Sequence, residues 1–281
     1  YSAGKVLTFT KNAGGAFTGA QVQAIEKALQ FQTSTNATQG NRTFTFGHTD
    51  TAGNTSSTAT ETVSVDTVAP SPVDLINGAG INDTDTIYYG PSNAGTSKAI
   101  ASSMGSPTDA DIAKIILTVA GSVADTTNDK LLFGTVTQTL NTTATSGTNL
   151  TIGGITGVDW SYSTSKVLTL TKNAGGNFTA AEVQTIEKAL LFQTSSGATQ
   201  GNRTFNFGHA DAAGNVSATA TQTVVVDFLA PVLLLDGTNA NRAVSNIATP
   251  ATATSIDNDA NPASVTELNS ISKLQLRVGG V

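Results

Sequence analysis

The chain has 281 residues, of which 38% are hydrophobic and 12% are charged, and its net charge is −6. The apolar share is large enough for folded cores in about one to three domains, while the 14 lysine and arginine residues form no basic cluster of the kind that nucleic-acid binding requires. The lack of cysteine excludes disulfides and thiol catalysis, and no apolar run of about 18 residues predicts a membrane span.

The chain contains a long internal repeat. Residues 5–70 align without a gap with residues 166–231, an offset of 161 residues, and 49 of the 66 positions are identical. Weaker similarity links "IAKIILTVAG" from Ile112 with "ISKLQLRVGG" from Ile271. We therefore predict a window on a longer tandem array, and the alternative is a duplicated two-domain protein with trimmed ends. Residues 1–68 are the C-terminal part of a first repeat, residues 69–229 a complete repeat, and residues 230–281 the N-terminal part of a third.

Each copy of the repeat predicts one helix after a glycine-rich turn. In the first copy Thr18 and Gln21 match a capping box, in which the threonine side chain caps the helix and the third residue reaches back. Thr179 and Glu182 do the same in the second copy. With the apolar spacing that follows, the pattern predicts a helix over 179–193 with one face buried.

Short segments of alternating polarity predict strands in the rest of the chain. In chain order they are "IAKIILTV", "DKLLFGTV", "NLTIGG", "GVDWSYS", "KVLTLT", "RTFNFGH" and "ATQTVVV". Turn residues interrupt them often enough to predict about nine to eleven strands in each unit. We expect a mostly β fold of tandem antiparallel β-sandwiches, each with one short α-helix that covers an edge or an end of the sandwich.

Several of these strings resemble known bacterial repeats. "FGHADAAGNVSATATQTVVVDFLAP" resembles the end of Ig-like and cadherin-like repeats, and "SPTDADIAKIILTVAG" and "AEVQTIEKALLFQTSS" resemble the cadherin-like units of giant bacterial surface adhesins. The resemblance implies a secreted or surface-anchored chain at the bacterial cell surface, often stiffened by Ca²⁺ at the joints between units. The dense acidic joint of animal cadherins is absent, and only Asp66 and Asp227 stand in its place.

Acidic loops supply the candidate metal ligands. Hard cations such as Ca²⁺ bind several carboxylate and carbonyl oxygens, and the "TDAD" loop offers two carboxylates. The predicted calcium ligands are Asp109, Asp111, Asp66 and Asp50, with Asp227, Asp211, Asp257 and Asp259 as weaker candidates. The alternative interpretation is that these aspartates form turns that satisfy local amides. Two further acidic loops contain Asp83 and Asp85, and Asp125 and Asp129.

Histidine and aromatic residues offer two other kinds of site. His48 and His209 are each followed two residues later by an aspartate, and we expect each histidine to donate to that turn carboxylate rather than to bind a metal. Trp160 and Tyr162 alternate on one predicted strand. A single tryptophan is usually part of a core, but exposed rings at this spacing could also form a platform for sugars.

No nucleophile elbow, His-Glu-x-x-His motif or phosphate-binding loop occurs in the sequence. We expect a non-enzymatic extracellular repeat protein that forms a stiff rod or filament for cell-surface adhesion or architecture. Its expected partners are neighbouring repeats and other copies of itself, without nucleic acid, and the surface ligand or polysaccharide stays open. The alternatives are an array of carbohydrate-binding modules of a secreted enzyme, and a self-assembling fibre or S-layer subunit whose half unit is completed by its neighbour.

Overall fold

The computed structural model describes residues 5–34, 36–76, 84–109, 111–120, 125–230, 232–234 and 264–266. The first part of the chain contains the helix α1 (Gly19–Ala28) and the strands β1 (Gly40–Phe46) and β2 (Ala59–Val65). The two strands form an antiparallel hairpin in which Gly40 lies opposite Val65.

The complete repeat contributes eleven strands and one helix to the described residues, within the predicted range. They are β3 (Thr84–Tyr89), β4 (Lys98–Ala99), β5 (Ile112–Ala120), β6 (Lys130–Phe133), β7 (Val136–Thr139), β8 (Thr145–Ile152), β9 (Ile155–Tyr162), β10 (Val167–Lys172), α2 (Ala180–Lys188), β11 (Leu191–Gln193), β12 (Gly201–Asp211) and β13 (Ala220–Val226). A further short pair, β14 (Val232–Leu234) and β15 (Ser264–Thr266), is antiparallel.

The strands of the complete repeat form a β-sandwich. One sheet has seven strands in the order β3-β13-β12-β5-β10-β9-β8, and the other has four in the order β4-β11-β6-β7. Among the described residues, every strand pair is antiparallel except β3 with β13, which is parallel. The predicted antiparallel sandwich is therefore confirmed, with this one exception where the chain enters and leaves the unit.

The core lies between the two sheets and continues under the helix. Ile115 and Leu117 of β5 belong to one buried cluster with Phe192 of β11. Val183 and Ile186 place the predicted apolar stripe of α2 in the same cluster. Full burial of such a side chain stabilises the fold by about 1.5–3 kcal/mol, so this shared interior holds the two sheets together.

Both predicted helix starts are confirmed, but the predicted helix end is wrong. Thr18 and Thr179 each accept the amide of the third helical residue, whose side chain accepts the threonine amide in return. The helix α2 ends at Lys188, not at residue 193. Leu190 and Phe192 are fully buried while the intervening residue is partly exposed, so the chain takes the alternating geometry of a strand as soon as it reaches the four-stranded sheet.

The first part of the chain repeats this local structure without the same burial. The β1–β2 register is that of β12–β13 displaced by 161 residues. None of the residues of α1 is buried, whereas α2 buries three. After this part, the chain runs directly into the complete repeat, where Val73 and Leu75 belong to the core cluster.

Candidate functional site

The two hairpin turns hold their predicted calcium ligands in the same hydrogen bonds. Asp211 accepts the amide of Asn215 at 2.9 Å through one carboxylate oxygen and the Asn215 side chain at 2.7 Å through the other. Asp50 binds the amide and side chain of Asn54 in the same way, both at 2.8 Å. The hydrogen bonds from Asn54 lower the pKa of Asp50. In both copies the carboxylate closes its own turn.

The predicted ligands at the joints also accept local amides. Asp66 accepts the amide of Val68 at 3.0 Å and the side chain of Gln39 at 3.1 Å. Its main-chain carbonyl accepts a bond of 3.3 Å from the Asn215 side chain, which ties the joint to the hairpin turn of the complete repeat. Asp227, at the second joint, accepts the amide of Leu229 at 3.0 Å.

The "TDAD" loop separates its two aspartates. The carboxylate of Asp109 accepts the amide of Ser71, and the carbonyl of Ser71 accepts a bond of 3.3 Å from Nδ1 of His209. Asp111 is exposed. The Thr108 amide also donates to the Ser71 hydroxyl at 3.2 Å, so the loop holds the start of the complete repeat near the end of β12 through Thr108 and Asp109.

The remaining metal candidates divide between described and undescribed parts of the chain. Asp85 accepts the amide of Thr86 at 2.7 Å. Within the ranges that the structure describes, no group of three or more histidine, aspartate or glutamate side chains is arranged to hold a metal ion. The predicted ligands Asp83, Asp257 and Asp259 lie outside the described residues.

In the acidic loop at residues 125–129, the carboxylate of Asp129 forms a buried ion pair. Asp129 accepts Nε of Arg203 at 2.7 Å and Nη2 at 3.3 Å, and both side chains are 0% exposed. Asp129 also accepts the hydroxyl of Thr194 at 2.8 Å. Arg203 donates further bonds to the carbonyls of Thr199 and Gly201. The ion pair of Asp129 and Arg203 joins β12 to the loop that precedes β6.

Asp125 organises the same loop from the outside. It accepts the amides of Thr127 and Asn128 at 3.0 Å each, the Asn128 side chain at 2.9 Å and the amide of Thr199 at 3.0 Å. Burial acts to raise the pKa of Asp125, but these hydrogen bonds outweigh it and hold the pKa well below its usual range. The Asp125 carboxylate is therefore charged, and its hydrogen bonds join the loop at residues 125–129 to the loop that contains Thr199.

The histidine of β12 pairs with the helix, so the predicted pairing with Asp211 is wrong. Nε2 of His209 lies 3.0 Å from Oε1 of Glu187, and both side chains are almost completely buried. A bulge between Ala210 and Asp211 breaks the strand alternation that the prediction assumed. In the first copy His48 makes the same contact with Glu26 at 2.9 Å, on the surface.

The environment of His209 favours its protonated form. Burial alone lowers the pKa of the imidazole, but the hydrogen bond and the negative charge of Glu187 oppose it. The Ser71 carbonyl and the charge of Asp109 add to them, and the net result is a pKa above 6.5. A charged pair of this kind, hidden from water, connects the helix to the seven-stranded sheet.

Two signals in the sequence indicate that one member of each buried pair points towards the core. Arg203 lies two residues before Phe205 on the same face of β12, so strand alternation directs it towards the core. Glu187 lies four residues after Val183, on the buried face of α2. Neither signal identifies the partner.

The proposed sugar platform is not exposed. Tyr162 is buried, its hydroxyl donates to the carbonyl of Asn141 at 3.2 Å, and burial raises its pKa to about 12. Trp160 packs edge to face on Phe133, with ring centroids 5.2 Å apart. These two rings therefore serve the core of the sandwich and present no flat pair to a ligand.

A shallow groove of about 450 Å³ lies at the joint between the first part and the complete repeat. Phe31 and Val65 line it from one side, and Ala213 and Asn215 line it from the other. Asp66 is the charged residue in the lining. Among the described residues, no helix is long and apolar enough to cross a membrane.

Fold and contacts together define a β-sandwich that is joined to its helix and loops by buried ion pairs. No protein-family model matches the sequence, and no curated protein matches it. A solved structure, the C-terminal domain of the Streptococcus pyogenes antigen I/II-family protein AspA, is 11% identical, with 66% of this chain and 55% of that chain covered and a TM-score of 0.22.

Proposed function

We propose that this chain is a non-enzymatic extracellular repeat protein of a bacterial cell surface. In this proposal its sandwich units, joined in series, form a stiff rod or filament that serves adhesion or surface architecture. The observation that carries the proposal is one set of local contacts that occurs twice, 161 residues apart.

The repeated contacts all lie within one unit. The capping box, the hairpin register, the turn closed by Asp50 or Asp211 and the histidine–glutamate pair recur in both copies. A unit that makes its own contacts folds mainly by itself, and copies in series then add length rather than a new active site. This arrangement suits a spacer.

The joint supports a fixed angle between units. Val65, which ends the first part, is buried and lines the groove together with Ala213, and Asn215 reaches the Asp66 carbonyl across the joint. Bending at the joint would expose Val65 to water, which opposes it. A linker made only of exposed polar residues would have no such resistance.

Stiffness can be tested by loosening the joint. We expect a Gly-Ser-Gly-Ser insertion after Thr67 to broaden the distance distribution in small-angle X-ray scattering. The same insertion after Ala52, in an exposed hairpin turn, is the matched control and should leave the distribution nearly unchanged. Identical curves for the two insertions would contradict a stiff joint.

Location requires a separate experiment. Antibodies raised against the chain should label intact cells of the source bacterium without permeabilisation. Labelling that appears only after permeabilisation would contradict the cell-surface role, whatever the stiffness of the joint.

Calcium stays a prediction for the acidic loops. If Ca²⁺ binds near the joint, with Asp66 or Asp109 among its ligands, calcium should raise the melting temperature of the chain. An Asp109→Asn variant should lose part of that rise. Equal melting temperatures in calcium and in excess chelator would remove the metal from the proposal.

A further inference from the structure

The outer side of the seven-stranded sheet is rich in threonine and poor in charge. On β10, Leu168 and Leu170 are buried in the core, while Thr169 and Thr171 alternate with them and point outward. The strands beside β10 follow the same alternation, and their outward threonines include Thr118, Thr204, Thr221 and Thr223. The four-stranded sheet and α2 pack on the opposite side, so these threonines remain partly exposed. We call this outer side of the seven strands the threonine face.

Two charged side chains lie on the threonine face, one on each side of β10. Thr171 of β10 is opposite Lys114 of β5 on one side and opposite Asp159 of β9 on the other. The other outward positions of these seven strands are uncharged. Among the described residues, exposed Lys114 forms no ion pair, and Asp159 accepts the amide of Asn149 at 2.9 Å through one of its two oxygens. Both charges can therefore bind a partner of opposite sign.

This arrangement of charges is complementary to itself. When two copies face each other, a two-fold axis along β10 exchanges the β5 side of one copy with the β9 side of the other. Lys114 of each copy then lies against Asp159 of its partner, so one pair of residues provides two attractive contacts. Threonine hydroxyls both donate and accept hydrogen bonds, so the rest of the face can also satisfy its own copy.

The area of overlap indicates a weak, reversible contact. With the axis along β10, the five strands from β12 to β8 overlap in the two copies. At about 4.8 Å between strands and about 3.3 Å per residue, five strands of about seven residues cover about 550 Å² on each copy. Standard interfaces bury about 800 Å² per partner, and transient ones bury less than about 600 Å². Twisted sheets can make such a contact when their strand directions differ by about 30°.

We infer that two copies of this chain associate side by side through their threonine faces, about a two-fold axis along β10, with Lys114 of each copy against Asp159 of the other. The partner is a second copy because the face offers hydroxyls and one charge of each sign, in the positions that its own copy complements. This inference concerns lateral contact between chains and does not depend on the proposed cell-surface role.

Charge reversal in the full chain tests the inference by sedimentation. Lys114→Asp makes both charges of the face acidic, and Asp159→Lys makes both basic. Each variant alone should associate about tenfold or more weakly than the wild type, because the dimer then has two like-charge contacts in place of two attractive ones. Lys27→Asp, on exposed α1, makes the same change in net charge away from the face and is the matched control. It should associate like the wild type.

Mixing the two reversed variants gives the sharpest result. An acidic face and a basic face are complementary at both contacts, so the mixture should form mixed dimers although neither variant associates alone. Urea unfolding of each variant checks that it folds. A mixture that associates no better than its components, a wild-type chain that stays single at its highest soluble concentration, or association that both reversed variants retain would overturn the inference.

Cross-linking tests the position of the axis. The chain has no cysteine, so Thr169→Cys, on the axis, introduces a unique thiol into each copy. Sheets that stack face to face lie about 10 Å apart, a distance that a short bismaleimide bridges. Thr223→Cys, three strands from β10, is the control, since its two copies would be about 29 Å apart. We expect cross-linked dimers from Thr169→Cys alone, and equal yields from the two variants would contradict this axis.

Discussion

The buried pair of Arg203 and Asp129 provides a quantitative prediction because the repeat supplies its own control. Arg203→Met removes both hydrogen bonds to Asp129, of 2.7 and 3.3 Å. The Asp129 carboxylate, at 0% exposure, then accepts only the Thr194 hydroxyl and the Asp125 amide. Removing one partner of a buried ion pair costs about 3–5 kcal/mol, since the remaining charge has lost its compensation. We expect that loss in the free energy of unfolding of the complete repeat.

The matched variant is Arg42→Met in the first part. Arg42 donates to the carbonyls of Thr38 and Gly40, as Arg203 does to those of its own neighbours, but it is partly exposed. Within the described part of the chain it contacts no carboxylate. Its loss should cost the first part about 1 kcal/mol or less, the usual net value of such hydrogen bonds, and should leave the unfolding midpoint of the complete repeat nearly unchanged.

Urea unfolding followed by tryptophan fluorescence measures this difference. Trp160 is the single tryptophan of the chain, so the signal reports the complete repeat. With a urea dependence of about 2 kcal/mol per M, Arg203→Met should lower the midpoint by about 1.5–2.5 M. The double variant Arg203→Met with Asp129→Leu should recover part of the loss, because it leaves no buried charge. Equal midpoints for Arg203→Met and Arg42→Met would refute the reasoning.

Three further variants test the helix and its contacts by the same urea assay. Ile186→Asp places a carboxylate in the core and should unfold the complete repeat, whereas Ile25→Asp, on the less buried helix, should leave the Trp160 signal intact; equal effects would rule out the docking of α2. Thr179→Ala should cost about 1 kcal/mol through loss of the cap, and an unchanged midpoint would contradict that role. Because the pKa of His209 is raised above 6.5, its stabilisation is full below that pH and is lost as the pH rises through the folded-state pKa. His209→Gln should therefore lower the midpoint more at about pH 6 than at about pH 8, and a pH-independent loss would contradict the charged pair.

Strand alternation predicted most of the sandwich because one face of each strand is buried. The segments of β5, β10, β12 and β13 all show this pattern in the sequence. The error at the end of α2 arises at Leu190, which continues the helical stripe of Val183 and Ile186 but also alternates with Phe192 as in a strand. Only contact with the four-stranded sheet decides between the two structures.

The polar contacts were harder to predict because they join distant residues. Arg203 and Asp129 are 74 residues apart, and His209 and Glu187 are 22 apart. Polarity patterns indicate which side chains point inward, but the partner depends on how the sheets stack. The carboxylates of the acidic loops accept amides and, at Asp129, the side chain of Arg203, and calcium binding at these loops stays a prediction.

The parallel pairing of β3 with β13 determines how the unit bears tension. In the described part of the chain β3 is the first strand of the sandwich and β13 is the last, and Thr84 lies opposite Thr221 while Tyr89 lies opposite Val226. Pulling the chain from both sides draws the two strands past each other along their length, so the bonds of the ladder carry the load together. A hairpin pulled at its two free ends would separate one bond at a time. Each unit should therefore resist a pulling force in shear and unfold in a single step, rather than by breaking one hydrogen bond after another.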